Sequence, residues 1–84
     1  MENDLLIRDI RKNSIERIRI ALRTYEKSQF LDIRNFYDGL GKETEFRPTK
    51  KGIAVQLLFL PELKKGIEEA IEKAESWSVE NDTQ

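Results

Sequence analysis

Cations and an aromatic ring alternate with apolar residues along one stretch of the chain, and these residue types can bind nucleic acid. Residues 17–27 alternate between apolar and mostly basic side chains, and successive side chains of a strand point to opposite faces. Cations on such a face can hold phosphates, while a ring among them can stack on a base of any identity. The residues concerned are Arg19, Arg23, Tyr25 and Lys27. The same pattern is equally consistent with a surface that binds nothing. In that case the arginines only keep the strand soluble, and the tyrosine only packs against a neighbouring strand.

The composition excludes most catalytic and metal-binding chemistry. The 84 residues include no Cys and no His, which excludes disulfides, ordinary zinc sites, thiol nucleophiles, imidazole bases and Ser-His-Asp triads. Residues 39–42 match a phosphate-binding loop only weakly, because they lack the spacing and the Ser or Thr of that motif, and we interpret them as a hairpin turn. We therefore expect a protein that is not an enzyme and that needs no metal or cofactor.

The charges are unevenly distributed along the chain, although its net charge is only −1. Residues 17–52 contain nine basic and five acidic side chains, whereas residues 53–84 contain three basic and seven acidic ones. A chain with a net charge near zero can therefore present one strongly positive surface. That surface is either a binding site for an anionic partner or an ordinary solvated strand face, and charge alone favours neither.

The first part of the chain predicts four antiparallel strands. Period-two alternation indicates strands over 17–27 and 30–37, followed by a short strand over 44–47 and a fourth strand whose inward residues are Ile53, Val55 and Leu57. The turns between them are expected at 27–29, 38–42 and 49–52. Pro48 cannot donate a ladder hydrogen bond, so the third strand lies at an edge or ends there. Residues 2–12 form either a short helical turn or a strand.

After the strands the period changes to that of an amphipathic helix, from Leu60 to Trp77. The predicted class is thus α+β, with a four-stranded curved antiparallel sheet followed by one helix. One helix covers only part of a sheet, and a chain of this length buries only about 60–65% of its unfolded surface. We therefore expect a homodimer formed through the apolar stripe of the helix, which comprises Leu60, Leu63, Ile67, Ala70, Ile71 and Ala74.

The organisation expected is one domain over 16–77, with an N-terminal extension and a polar tail. The extension, 1–15, is either weakly ordered or a short element, and the tail, 78–84, is expected to fray. Residues 1–13 do not have the pattern of a signal peptide. The longest apolar run, 57–60, is much shorter than the roughly 20 residues that span a bilayer. These features predict a soluble protein of the cytoplasm, associated with the nucleoid in a prokaryote or nuclear in a eukaryote, without a membrane partner.

Two segments at a particular separation resemble a known family. Residues 32–37 read Asp-Ile-Arg-Asn-Phe-Tyr, and residues 46–53 read Phe-Arg-Pro-Thr-Lys-Lys-Gly-Ile, before an acidic amphipathic helix. This order resembles the positive cofactor 4 family of transcriptional coactivators, and the resemblance covers about 17–74. The chain has no long Ser- and Lys-rich segment like the regulatory tail of the animal members. The resemblance therefore leads us to expect a short prokaryotic or phage-like member.

The resemblance implies a homodimer that binds single-stranded DNA in grooves of strongly curved sheets. It carries the DNA contacts of the family onto Arg23, Tyr25, Arg34, Tyr37 and Lys51, and both tyrosines keep a flat ring for stacking. Such a protein would act in transcription regulation, replication or repair, with transcription or repair proteins as further partners. Together with the alternating pattern, the resemblance nominates these residues for DNA binding: Arg19, Arg23, Tyr25, Lys27, Arg34, Phe36, Tyr37, Arg47, Lys50 and Lys51.

Simple alternation and the resemblance disagree about one ring. With Leu31 and Ile33 facing inward, alternation places Phe36 on the basic face and Tyr37 on the other one, whereas the family nominates Tyr37. A bulge or a strong twist near Asn35 would reconcile the two. The sequence alone leaves open which ring faces the nucleic acid.

Two other functions fit the same residues. The chain could be a protein-interaction module that docks a partner on the acidic face of its helix, with the basic sheet incidental. It could also bind single-stranded RNA, because stacking and phosphate contacts hardly distinguish the two sugars without a group that recognises the 2′-hydroxyl.

Overall fold

One antiparallel sheet and one helix make up the chain. The structure is a computed structural model that describes the backbone of residues 4–80 and the side chains of residues 4–77. The strands are β1 (Leu5–Arg11), β2 (Glu16–Tyr25), β3 (Ser28–Tyr37) and β4 (Arg47–Gln56), followed by a 3₁₀ turn (Leu57–Phe59) and the helix α1 (Leu60–Glu80). The strands lie in the order β1-β2-β3-β4, and each neighbouring pair is antiparallel. The predicted fold class is therefore confirmed.

The first strand lies in the segment 2–12, for which the sequence alone did not decide between a helical turn and a strand. Residues 5–11 pair with β2, with Asp9 opposite Arg19 and Arg11 opposite Arg17. The connection to β2 is a tight turn in which the Asn13 side chain accepts a hydrogen bond from the N–H of Ile15 at 2.9 Å, a local bond typical of Asn in turns. The segment 1–15 thus contains a paired strand, and residues 1–3 lie outside the described part of the chain.

The predicted turn at 49–52 and the predicted separate strand at 44–47 are both wrong. Residues 44–46 belong to a loop, and a single strand runs from 47 to 56. Its pairing with β3 is interrupted once, since Pro48 lies opposite Phe36 while Gly52 lies opposite Arg34. The extra residues, 49–51, form a bulge opposite Asn35. Together with Gly52 they have the composition of a turn, which explains the wrong prediction. Pro48 is accommodated because β4 is an edge strand.

Gly52 is required where the bulge ends. A Cβ atom at this position would lie 2.7 Å from the backbone oxygen of Ile33 and 2.9 Å from the Cα of Arg34, which is too close for a side chain. The turn between β2 and β3 also differs from the prediction. It consists of residues 26–27 and not 27–29, and Glu26 takes the left-handed conformation with φ 57° that such two-residue turns need.

Two apolar surfaces have no cover within one chain. The register places Ile20, Leu22, Leu31 and Ile33 on one face of the sheet, which we call the apolar face. In α1 only Leu60 and Leu63 are half-buried, and the other side chains described, up to residue 77, are exposed. As a result, no apolar side chain between residues 4 and 77 is fully buried.

The helix is longer than predicted. It continues to Glu80, so the first three residues of the predicted frayed tail are helical, and residues 81–84 lie outside the described part of the chain. Within the described residues, no helix combines the length and the apolar character that crossing a membrane requires.

Candidate nucleic-acid interface

The register of three strands defines one basic face of the sheet. Directly opposed residues of an antiparallel pair share a face, and β2 and β3 oppose Arg17 to Phe36, Arg19 to Arg34 and Arg23 to Phe30. In β1, Asp9 and Arg11 oppose Arg19 and Arg17. We call this surface the arginine face, and it consists of Asp9, Arg11, Arg17, Arg19, Arg23, Tyr25, Phe30, Asp32, Arg34 and Phe36.

One ring of this face and one ring of the following loop are in contact with guanidinium groups. The Cζ atom of Arg19 lies 4.4 Å from the ring centroid of Phe36, and that of Arg17 lies 4.5 Å from the ring centroid of Phe46. Each such contact is worth about 0.5–1 kcal/mol at an exposed site. Tyr25 has the most accessible ring of the face, with 64% of its surface exposed, and it lies beside the two-residue turn. Among the rings of the face, Tyr25 is therefore the most accessible, whereas Phe36 is partly covered by the guanidinium of Arg19.

Carboxylates neutralise much of the positive charge. Arg19 donates through Nε and Nη2 to the two carboxylate oxygens of Asp9, at 2.8 and 2.9 Å. The hydrogen bond from Arg19 lowers the pKa of Asp9, and burial opposes this effect. The same bond raises the pKa of Arg19, again against burial. A second carboxylate, that of the almost fully buried Asp32, lies 3.0 Å from Nη2 of Arg34 and 3.8 Å from Nη1 of Arg23.

Arg34 connects the face to the β4 bulge. Its Nη1 donates to the backbone oxygen of Thr49 at 2.9 Å, and its other donors are directed at Asp32. Thr49 in turn donates through its hydroxyl to the backbone oxygen of Asn35 at 2.8 Å. Arg34 therefore has a structural role at the bulge in addition to any role in binding phosphate.

The loop of residues 38–46, between β3 and β4, covers one end of the arginine face. It is held in place by Asp38, which is only 4% exposed and whose carboxylate accepts hydrogen bonds from the N–H groups of Leu40 at 3.0 Å, Thr44 at 3.3 Å and Glu45 at 3.4 Å. Burial alone would raise the pKa of Asp38, but these backbone hydrogen bonds outweigh it, so the pKa is lowered. The loop places Glu43 and Phe46 against Arg17.

A shallow groove runs between the arginines of the face. It has a volume of about 360 Å³ and is lined by Asp4, Leu6, Arg19, Ala21, Arg23, Asp32, Phe36 and Pro48. The lining combines two guanidinium groups and two carboxylates with apolar side chains. Between residues 4 and 80 no cluster of His, Cys, Asp and Glu has the composition to hold a metal ion.

The structure brings half of the nominated DNA-binding residues together. Arg19, Arg23, Tyr25, Arg34 and Phe36 share the arginine face. The other nominated residues lie elsewhere: Lys27 in the hairpin turn, Tyr37 opposite Glu16 on the other face, Arg47 opposite Tyr37, Lys50 exposed in the β4 bulge, and Lys51 in a depression with Ile18, Ile33 and Asn35.

The bulge near Asn35 exists, but it does not bring Tyr37 to the basic face. The extra residues are in β4, whereas the pairing of β3 with β2 continues without interruption to Tyr37. Phe36 is therefore the ring that shares a face with the arginines.

Sequence reasoning missed several participants. Arg11 and Asp9 join the face only because residues 5–11 form a paired strand, and Glu43 and Phe46 reach it only through the fold of a loop. Asp32 was detectable, because it precedes Arg34 by two positions in a predicted strand and must share its face.

One protein family matches most of the strands and the start of the helix. Residues 12–66 match the model of the family described as Transcriptional Coactivator p15 (PC4). The chain belongs to the PC4 family. No curated protein matches it.

Two solved structures of a PC4 homolog from Burkholderia pseudomallei are similar to the chain. The orthorhombic crystal form is 30% identical, with a TM-score of 0.70, and the alignment covers 83% of this chain and 92% of the homolog. The tetragonal form is 28% identical, with a TM-score of 0.71, and the alignment covers 81% and 97%. The resemblance drawn from residues 32–37 and 46–53 is therefore confirmed, and with it a family of DNA-binding, coactivator-like proteins.

Proposed function

We propose that this PC4-family protein binds single-stranded DNA as a homodimer, without catalysing a reaction, in transcription regulation, replication or repair. The observation that carries the proposal is the arginine face, where a groove of about 360 Å³ is lined by Arg19, Arg23 and the ring of Phe36. Guanidinium groups suit phosphates, and rings suit unpaired bases. Membership in the PC4 family supports the same function.

A single strand fits this face better than a duplex. The rings of Tyr25 and Phe36 can stack only on bases whose faces are free, and paired bases are already stacked on their neighbours. The groove is also lined by Leu6, Ala21 and Pro48, which favour flat apolar base surfaces over a hydrated phosphate backbone. Contact with a strand would therefore combine phosphate and base interactions along one surface.

Dimer formation is supported by the apolar surfaces that one chain leaves uncovered. The apolar face of the sheet and the helix stripe are not covered in a single copy, where about half of the Ile67 side chain and two thirds of the Ile71 side chain are exposed. Covering such area releases about 25 cal/mol per Å², and an isolated chain of this size lacks the core to be stable alone. A second copy of the chain supplies the complementary apolar stripe.

The test is a titration of labelled oligo-dT, followed by fluorescence anisotropy at two salt concentrations. RNA of the same length and duplex DNA serve as competitors. We expect nanomolar to micromolar binding that weakens as salt is raised. For each phosphate neutralised, log affinity should fall by about 0.7 with each tenfold increase in salt. Duplex should compete poorly. If duplex competes as well as oligo-dT, the stacking mechanism is wrong, and if RNA competes equally well the protein does not discriminate between the sugars.

A further inference from the structure

Two arginines on neighbouring strands converge on one carboxylate at the loop end of the arginine face. Arg17 donates through Nη2 to Oε1 of Glu43 at 2.8 Å. Arg11 donates through Nη2 to Oε2 at 3.3 Å and through Nε to Oε1 at 3.4 Å. The two arginines lie directly opposite each other in the β1–β2 register, so their side chains share the face and Glu43 bridges them.

This arrangement has the chemistry of a phosphate site. A carboxylate and a phosphate both present oxygens that suit the planar fork of guanidinium donors. The hydrogen bonds from Arg11 and then from Arg17 lower the pKa of Glu43, so the carboxylate is held in its anionic form. Arg17 also has a buried Nε atom without a hydrogen-bond partner among the described residues. Glu43 therefore does not engage all the donors of Arg17.

Glu43 is held in an unfavourable backbone conformation. Its φ angle is 60°, in the left-handed region where a Cβ atom is crowded and glycine is preferred. The loop maintains this conformation through the contacts of Asp38 and through the Phe46 ring against Arg17. Glutamate is therefore not the residue that best suits the backbone at this position, although its carboxylate pairs with both arginines.

We propose that Glu43 is an internal substitute for phosphate, and that a phosphate of bound single-stranded DNA displaces it from Arg11 and Arg17. This inference rests on the proposed function and adds to it a phosphate subsite at Arg11 and Arg17, together with a residue that lowers affinity. The strand would follow the arginine face from Tyr25 past Phe36 to this end. Binding there replaces the ion pairs of Glu43 with ion pairs to a phosphate. The strength of the Glu43 contacts therefore determines how much the subsite adds to the affinity for DNA.

A purely structural role for Glu43 predicts the opposite result. If its ion pairs only hold the loop and orient Arg17 for binding, then removing the carboxylate loosens the site and weakens DNA binding. If Glu43 competes with phosphate, its removal frees the guanidinium of Arg11, leaves Arg17 only its longer ion pair with Asp9 at 3.9 Å, and strengthens binding. The sign of the change in affinity separates these two roles.

The experiment compares the oligo-dT affinity of Glu43→Gln, Glu43→Gly and Glu45→Gln with that of the parent chain at low salt. Gln keeps the size of the side chain without its charge, and Gly also suits the left-handed backbone. Glu45 lies in the same loop, and its side chain forms no ion pair with a described residue, so Glu45→Gln controls for the change in net charge. Thermal unfolding of each variant shows whether it is folded.

We expect Glu43→Gln and Glu43→Gly to bind oligo-dT about two- to fivefold more tightly than the parent, which is the range of an exposed ion pair. Glu45→Gln should change affinity less than either. Arg11→Ala should weaken binding more in the Glu43→Gln background than in the parent, because in the parent it also loosens the competing carboxylate. Unchanged or weaker binding by both Glu43 variants would overturn the inference, whereas failure of the parent to bind oligo-dT would overturn the proposed function itself.

Discussion

The guanidinium of Arg19 lies 4.4 Å from the ring centroid of Phe36 and at the same time donates two hydrogen bonds to Asp9. Arg19 is therefore held from two directions, by a ring of β3 and by a carboxylate of β1. A side chain fixed in this way loses little rotamer freedom when it contacts a phosphate. The cost is that Asp9 must share the cation with any anionic ligand.

The first prediction concerns which ring binds the nucleic acid. Phe36 shares the arginine face, whereas Tyr37 lies on the other one, so Phe36→Ala should lower oligo-dT affinity by about 1–3 kcal/mol, the range for the stacking of one base. Tyr37→Ala should have a much smaller effect. Both are measured by anisotropy titration, with thermal unfolding to confirm that each variant is folded. A larger loss for Tyr37→Ala would mean that the bound strand follows the opposite face.

The second prediction concerns the exposed ring of Tyr25. Its position at the open end of the arginine face, with 64% of its surface exposed, makes it available for stacking without rearrangement. Tyr25→Ala should weaken oligo-dT binding by about 1–3 kcal/mol and leave the salt slope nearly unchanged. Tyr25→Phe keeps the ring and is the matched control, and it should bind like the parent. Equal weakening in both variants would indicate that the hydroxyl, and not the ring, makes the contact.

The third prediction concerns the cations. Arg23 is partly exposed and pairs with Asp4 at 3.3 Å, so it can exchange that partner for a phosphate. Arg23→Ala should make the dependence of log affinity on log salt shallower by about 0.7 for each phosphate that is no longer neutralised, whatever the base sequence. Lys64→Ala and Lys73→Ala on the exposed helix are the controls and should leave the slope unchanged. A change of affinity without a change of slope would show that Arg23 does not contact phosphate.

Period-two alternation was sufficient to assign the two faces of β2. The side chains of Ile18, Ile20 and Leu22 were correctly separated from those of Arg17, Arg19 and Arg23, because in a strand this separation depends only on the spacing along the chain. The helix was predicted for the same reason, since its apolar residues recur every three or four positions. Local periodicity therefore accounted for the central strands and for α1.

Contacts between distant segments were not predictable in this way. Lys50, Lys51 and Gly52 resemble a turn by composition, but the pairing of β3 with β4 absorbs the additional residues as a bulge. Asp9 and Glu43 reach the arginines only through the β1–β2 register and the fold of a loop. Neither relation leaves a periodic signal in the sequence, so these two neutralising contacts became visible only in the structure.

The fourth prediction concerns acid stability. The pKa of Asp38 in the folded state is lowered because the backbone hydrogen bonds of the loop outweigh the effect of burial, and the pKa values of Asp9, Glu16 and Glu43 are lowered as well. The unfolded chain then binds protons at a higher pH than the folded chain. Stability is therefore complete above the ordinary carboxyl values of about 4 and is lost as pH falls through the lowered folded-state values.

Denaturant unfolding between neutral pH and acid measures this effect. The free energy of unfolding of the parent should be constant above the ordinary carboxyl range and fall below it, and Asp38→Asn should show a weaker fall because its side chain does not titrate. At neutral pH the same variant should unfold at a lower denaturant concentration, since Asn offers one oxygen acceptor where Asp offers two. A parallel pH dependence in the two proteins would contradict the role given to Asp38.

The last prediction concerns assembly. Ile67 is about half exposed on α1 in a single chain and lies on the apolar stripe, so a partner that covers the stripe would bury it. The parent should sediment at micromolar concentration with twice the 9.9 kDa mass of one chain. Ile67→Asp places a charge in that interface, where burying it without a partner is costly, and should shift the protein towards the monomer and lower its unfolding temperature. Glu68→Ala, at the adjacent polar position, is the control and should leave both unchanged. A parent that remains a stable monomer of one chain's mass would contradict the dimer, because the helix stripe and the apolar face would then be stable while exposed to water.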